Sequence, residues 1–430
     1  MVIAWSSFAQ TILAAMLALQ APPESGVFML SGGTVHTISG PVIENGSVLV
    51  RDGKIIGVGR GLQAPEGAAV IDIHGQHVYP GMIDSAGMPG MEKSDGQEPG
   101  LLHPQLRAAS AVNPASDEIP LARANGVTSV MLLPQGELLA GQLSLLHMGG
   151  GVSGPGEGVT AVHLRFPAIV TTPIPPHESF GDDEEPATAV APEPVSWAAA
   201  KKAHDEKLRV LNRFFEDARR YRQAKLSKTR SIQPNPQYEA ILPVLEGTEP
   251  LLVTAIRERE IREAIAFADK QKIRIILADA YESYKVIPLI RAHNIPVVLG
   301  PPLSLPLEDD DDYDRSYTTA AELARAGIRF SIGTFSYRQA RNLPYQAAAA
   351  VAFGLTHDEA YKAISLNAAE IFGLSKRLGS IDEGKAADLI VTDGDPLETT
   401  THVSLVFIDG KPVSLETRQR KLADQYAARP

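Results

Sequence analysis

The stretch GSVLVRDGKIIGVG, residues 46–59, sets apolar side chains at alternating positions on both sides of Asp52-Gly53. A two-residue turn between strands needs positive φ at both central positions, which Asp-Gly tolerates, so the stretch predicts a β-hairpin. The signature returns near the other end of the chain, where LVFIDGKPV, residues 405–413, holds Asp409-Gly410 between apolar positions. Strand patterns flank both: VFMLSGGTVHTI (27–38) and AAVIDIHGQHV (68–78) on one side, ADLIVTDG (387–394) on the other. Neither end has enough strands to bury both faces of a sheet. The economical arrangement joins residues 26–80 and 376–416 in one small β-domain across the long middle of the chain.

That middle, about residues 81–375, alternates apolar runs with amphipathic helical stretches, the pattern of βα units around a parallel sheet. The candidate strands are GMIDSA (81–86), GVTSVMLL (126–133), GVTAVHL (158–164), PLLVTAI (250–256), RIILADA (274–280), IPVVLG (295–300) and IRFSIGT (328–334). The fold class is therefore α/β, and the segment suits a (β/α)8 TIM barrel with an insertion at about 173–240. The insertion begins with a Pro-rich, acidic stretch (173–194), expected as a loop, and continues into a helix over about 196–225. Trp197, Leu208, Leu211, Phe214, Phe215 and Ala218 make an apolar stripe at helical spacing, read as core; an exposed Phe214 or Phe215 would instead mark an architectural or assembly contact. VMLLPQGELLAGQLSLLHMGG (130–150) carries no phosphate-binding fingerprint and reads as a strand followed by a loop, with Gly136, Gly141, Gly149 and Gly150 as backbone devices. Residues 417–430 read as a polar tail.

A chain of 430 residues with a formal net charge of −11 offers no clustered Lys and Arg for phosphodiester backbones, so nucleic acid is not an expected partner. It has no cysteine, which excludes disulfides, thiolate-ligated zinc and thiol nucleophiles. Ile12 to Leu19 form a short apolar run followed by small residues and prolines, which makes residues 1–25 signal-like and export the expected localisation. No Lys or Arg precedes the run, so a cytoplasmic protein with a misassigned start or a buried N-terminal helix is the alternative. No segment reaches the roughly 20 apolar residues of a membrane span.

Three stretches resemble the amidohydrolase superfamily, in its imidazolonepropionase-like and prolidase-like branch: residues 32–61, VIDIHGQHVYPGMID (70–84), and AISLNAAEIFGLSKRLGSIDEGKAADLIVTDGDPL (363–397). The last is the most specific, since in that family it marks the return from the final barrel helix to the β-sandwich. The resemblance implies a distorted (β/α)8 barrel with a composite sandwich built from both termini. It also implies hydrolysis by a metal-bound hydroxide, with ligands at the C-terminal strand ends.

At those stations this sequence departs from the family. The first strand would end in His-x-His after PGxIDx, where Ala86 and Met88 stand; neither a methyl nor a thioether replaces imidazole for such an ion. The strand-five His falls at Thr254 or Ile256, the strand-six His near Asp279 or Ala280, and the strand-eight Asp, a ligand and general base in active relatives, at Phe335. These are degenerate ligand positions, so no metal centre and no cofactor is expected.

Asp84, Asp279, Glu282, Thr334, Ser336 and Arg338 remain at or just past predicted strand ends. Of these, Asp84, Asp279, Glu282 and Arg338 are the candidate catalytic groups. Two carboxylates can do acid and base work if burial separates their pKa values; the structural reading has Asp84 orienting the strand-one loop and the others solvated or paired. His103 and His293 read as structural, the second at a helix end. The acidic run 308–314 reads as a solvated loop, lacking the alternation and glycine of a calcium loop.

The expectation is a degenerate amidohydrolase, a pseudoenzyme serving as the non-catalytic partner of an active homologous subunit or as a small-molecule binder in the inherited pocket, within an oligomer. The alternative is an active hydrolase of carbon–nitrogen bonds acting through non-standard residues, with Zn or Mn if a metal is rebuilt.

Overall fold

The computed structural model describes residues 26–92, 100–152, 161–171, 194–227, 233–308 and 310–429. The signal-like segment and nearly all of the Pro-rich acidic stretch lie outside the described residues. The described residues open with five strands: β1 (Val27–Val35), β2 (Ile43–Arg51), β3 (Lys54–Gly59), β4 (Ala69–Asp72) and β5 (His77–Pro80). Between β2 and β3, Asp52 and Gly53 both hold positive φ, 49° and 78°, as a two-residue hairpin turn of this hand requires.

A run of barrel-type strands follows: β6 (Met82–Gly87), β7 (Val127–Leu132), β8 (Leu139–Gln142), β9 (Ser144–His147), β10 (Gly151–Val152), β11 (Val162–Arg165), β12 (Leu251–Ala255), β13 (Ile275–Asp279), β14 (Val297–Leu299) and β15 (Phe330–Ile332). Helix α1 (Glu118–Ala124) precedes β7. Helices α2 (Trp197–Ser227) and α3 (Pro236–Leu245) lie between β11 and β12. Then α4 (Glu258–Gln271), α5 (Ile287–Ala292) and α6 (Arg315–Arg325) alternate with the strands up to β15. Helices α7 (Leu343–Ala352), α8 (His357–Ala363) and α9 (Leu366–Ile371) lead to β16 (Leu389–Thr392), β17 (Val403–Ile408) and β18 (Lys411–Pro412), and the exposed α10 (Arg418–Ala427) ends the described chain. No described helix is long and apolar enough to cross a membrane.

Strands from both ends share one sheet in the order β18-β17-β16-β5-β1-β2-β3, with β4 also on β1. The two Asp-Gly turns abut: a Cβ on Gly53 would lie 2.7 Å from the Asp409 carbonyl oxygen, so only glycine fits. Phe28 of β1 and Phe407 of β17 stack at 4.7 Å, although two strands separate them in the ladder, so the sheet curls over itself around Leu30, Val48, Val50, Ile55, Leu389 and Val391.

The remaining strands form two sheets, β10-β9-β7-β6 and β15-β14-β13-β12-β11-β8. They meet at Leu143, where the chain passes from β8 in one sheet to β9 in the other. Residues 139–147, expected as loop, are thus two short strands; their partners β7 and β11 are antiparallel neighbours that local sequence does not reveal. Strands β11 to β15 are parallel, each followed by helix, giving a TIM-barrel-like α/β domain. The barrel expected from the sequence does not close by a ladder between β15 and β6. At this opening the Thr334 N–H donates to the Asp84 carboxylate at 3.0 Å, and Phe335 takes φ 50°. Two isolated bonds span the opening instead, Phe335 N to Ala86 O at 2.6 Å and Met88 N to Ser336 O at 2.9 Å.

The insertion helix α2 buries Leu211, Phe214, Phe215 and Ala218, while Trp197 stays 57% exposed. Phe214 and Phe215 therefore belong to the core and offer no assembly patch.

Candidate functional site

All six residues of β6 are buried, since β7 covers one edge and the loop after β15 the other. Asp84 sits within it at 0% exposure. Its Oδ1 accepts from Thr334 N (3.0 Å) and Ala86 N (3.2 Å), and its Oδ2 accepts from the Thr334 hydroxyl at 2.5 Å. Burial pushes the carboxyl up to about 6, and the three donors pull against that rise without cancelling it. The group joins the first strand to the loop after the last.

Ala86 and Met88 are also buried. A Cβ on Gly333 would lie 2.9 Å from the Ala86 methyl and 3.0 Å from the Phe335 ring, so the bare backbone at 333 lets that ring settle beside Ala86. Where the resemblance implies two imidazoles and a carboxylate, the protein has a methyl, a thioether and a phenyl group. Ser336 accepts from the backbone of Arg338 (3.1 Å) and Gln339 (3.2 Å), which turns the chain and leaves the Arg338 side chain exposed.

Thr254, on β12, faces a residue the sequence reading missed. His163 of β11 is 2% exposed, with Nδ1 2.8 Å from Pro134 O and Nε2 2.8 Å from Thr254 Oγ1. A carbonyl only accepts, so Nδ1 carries the proton and Nε2 accepts from the threonine hydroxyl. Burial pushes the imidazole down to about 4, so it stays neutral at pH 7. The available signal was weak, a histidine between two apolar residues in AVHLRF. Thr254→Val is expected to cost about 1–2 kcal/mol in urea denaturation, because Nε2 loses its donor in a dry site, while Thr254→Ser retains most of it. Equal stability of the two variants would remove this bond from the account.

Asp279 and Ala280, at the end of β13, both adopt positive φ (66° and 41°), a strained pair for residues with side chains. The narrow cleft that Asp279 shares with Tyr281, Ser304 and Ser316 has a volume of about 10 Å³, room for no more than one water. Glu282 is committed elsewhere: it accepts from the Glu258 N–H at the start of α4 (2.6 Å) and from Lys285 Nζ (2.6 Å). It holds a helix terminus and an ion pair, which removes it from the set of free strand-end acids. His293 bonds Leu289 O through Nδ1 and Asp269 through Nε2 at 3.1 Å, which raises its pKa and ties it to structure. The His103 backbone N–H donates to Leu139 O. In the acidic run, Glu308 pairs with Arg257, and Asp311 accepts from the backbone of Leu307 and Glu308.

Among the described residues, no three His, Asp or Glu side chains converge as a metal ion would need. The donor set at the expected stations does not fit a divalent ion. A cavity of about 140 Å³ does open just past β11 and β12, between Ile169, Trp197, His204, Arg257 and Arg259. His204, buried on α2, is bonded to Glu263 at 2.8 Å and so anchors the insertion beside this opening.

Comparison with known proteins agrees with this architecture. The sequence model of the amidohydrolase family matches residues 253–413, from β12 through β18. The imidazolonepropionase of Sphingopyxis alaskensis is 50% identical over 50 residues, which is 11% of this chain and 12% of that protein. The crystal structure of an amidohydrolase from Thermotoga maritima superposes with a TM-score of 0.75 at 24% identity, covering 90% of this chain and 99% of that one. A Xaa-Pro dipeptidase with methionine in its active site superposes with a TM-score of 0.54 at 15% identity, over 90% of this chain and 100% of that one. With strands from both chain ends in one sheet and TIM-barrel-like βα units between them, this chain shares the fold of these amidohydrolase structures, and its residues 253–413 are similar to the amidohydrolase family.

Proposed function

We propose that this protein is a non-hydrolytic amidohydrolase-superfamily member that binds a small molecule at the strand ends or serves an active homologous subunit as its partner within an oligomer. The observation that carries the reading is the filling of the ligand stations: Ala86, Met88, Thr254, Asp279 and Phe335 stand there, with the Phe335 ring beside Ala86. The curled sheet plays the part of the family's composite β-sandwich, and the signal-like start fits an exported protein. The cavity between Trp197 and Arg257 supplies a concave wall for a ligand.

Elemental mass spectrometry on protein grown with added zinc and manganese tests this reading. Metal well below one equivalent per chain after dialysis against a chelator is expected; one or two retained equivalents would overturn it. One feature favours a hydrolase of carbon–nitrogen bonds instead: the Asp84 carboxyl, poised near neutral pH beside the Thr334 hydroxyl. Turnover of a cyclic amide or dipeptide by the parent protein, abolished in Asp84→Asn, would establish that alternative.

A further inference from the structure

A cleft of about 360 Å³ opens where β14 and β15 begin, at the opposite end of the parallel strands from Thr254, Asp279 and Phe335. Three cations line it: Arg291 near the end of α5, Arg329 just before β15, and Lys362 on α8. Among the described residues its lining holds one carboxylate, Glu359, which accepts from Thr356 N (3.1 Å) and the Thr356 hydroxyl (2.7 Å). Arg329 is shared with Glu370 at 3.1 Å, outside the lining. Among the described residues, Arg291 and Lys362 have no ion-pair partner. The Asn367 side chain is fixed by donating to Phe330 O at 2.9 Å, so the floor of the cleft is held in place.

A chain with a net charge of −11 has little general reason to gather cations around a concavity. In this lining three cations outnumber one carboxylate, an excess that favours an anion, and a guanidinium offers a planar pair of donors to a carboxylate or phosphate. The volume lies within the range of small-molecule sites. From these observations we propose that the cleft at the start of β14 and β15 binds a small anion bearing phosphate or carboxylate groups, held by Arg291, Arg329 and Lys362. This site is separate from the strand-end positions and independent of whether the protein hydrolyses anything.

Titration calorimetry of the full chain with inorganic phosphate and with citrate, at low ionic strength, is the test. The expected result is one saturable site for at least one anion, weakened at least about tenfold in Arg291→Glu/Lys362→Glu and weakened by added sodium chloride. Phosphate without citrate identifies a phosphate ligand, citrate without phosphate a polycarboxylate, and both the shared chemistry. If charge reversal disturbs folding, Arg291→Gln/Lys362→Gln takes its place. No saturable binding of either anion, or the same affinity in parent and variant, would overturn the proposal.

Discussion

Asp84→Ala is expected to destabilise the fold by about 3 kcal/mol at neutral pH, while Asp84→Asn leaves stability unchanged or higher. The alanine strips the acceptor from three buried donors, the N–H groups of Ala86 and Thr334 and the Thr334 hydroxyl. Each such orphan costs about 1–3 kcal/mol, partly offset because a buried charge is removed as well. Asparagine keeps the two backbone bonds through its carbonyl and reverses the third, donating to the hydroxyl. It also removes a titration. Burial holds the Asp84 carboxyl at about 6, above its ordinary 3.8, so the folded protein binds this proton more tightly than the unfolded chain. That contribution is fully present below pH 3.8 and is lost as pH rises through 6. Acidifying from pH 8 to 4 should therefore stabilise the parent by about 2 kcal/mol through this group. Buried Asp388, pushed up to about 7, adds a contribution of the same sign. Urea denaturation across that pH range should give a visibly flatter profile for Asp84→Asn. Superimposable profiles, or an alanine variant as stable as the parent, would show that this bridge does not hold β6 to the loop after β15.

Phe215→Ala is expected to lower stability by about 4 kcal/mol, in the range for emptying a fully buried aromatic site. Phe215 is 0% exposed and meets Phe267 of α4 edge-on, with centroids 5.4 Å apart and planes at 86°. Beside it, Arg219 donates to the Gln271 side chain (2.5 Å) and backbone carbonyl (2.6 Å), closing the same contact on its polar side. Cutting the ring should release α2 from α4, so amide exchange should accelerate across residues 197–227 before the rest of the protein responds. A loss of less than about 1 kcal/mol with α2 still protected would place the anchor elsewhere along the helix.

The parts of the fold that local chemistry decides are legible in the sequence. Asp52-Gly53 and Asp409-Gly410 show the positive φ values that their turns require, because residue type alone determines them. The parallel strands β12 to β15 announce themselves as apolar runs between amphipathic helices. What depends on distant partners is hidden. Asp84 and Thr334 are 250 positions apart, so a bond that joins β6 to the loop after β15 leaves no local trace. His163 and Thr254 meet only because β11 and β12 lie in register, and neither residue type singles itself out. The run 139–147 is apolar in a way that fits loop, strand or helix until its neighbours are known. At the positions where the resemblance implies ligands, Ala86, Met88 and Phe335 are plain in the letters, whereas the settling of the Phe335 ring beside Ala86 needed Gly333 and β6 in place.

The sheet shared by both chain ends imposes an order of events. β5 pairs directly with β16, from His77 opposite Thr392 to Pro80 opposite Leu389, and roughly 300 residues must be made between them, on the order of tens of seconds of synthesis at the ribosome. During that interval the β5 edge has no strand beside it, and a bare edge recruits whatever strand it encounters. The newborn chain is therefore most exposed to mispairing late in its synthesis. A shortened chain that stops before Leu389 would keep that vulnerability permanently.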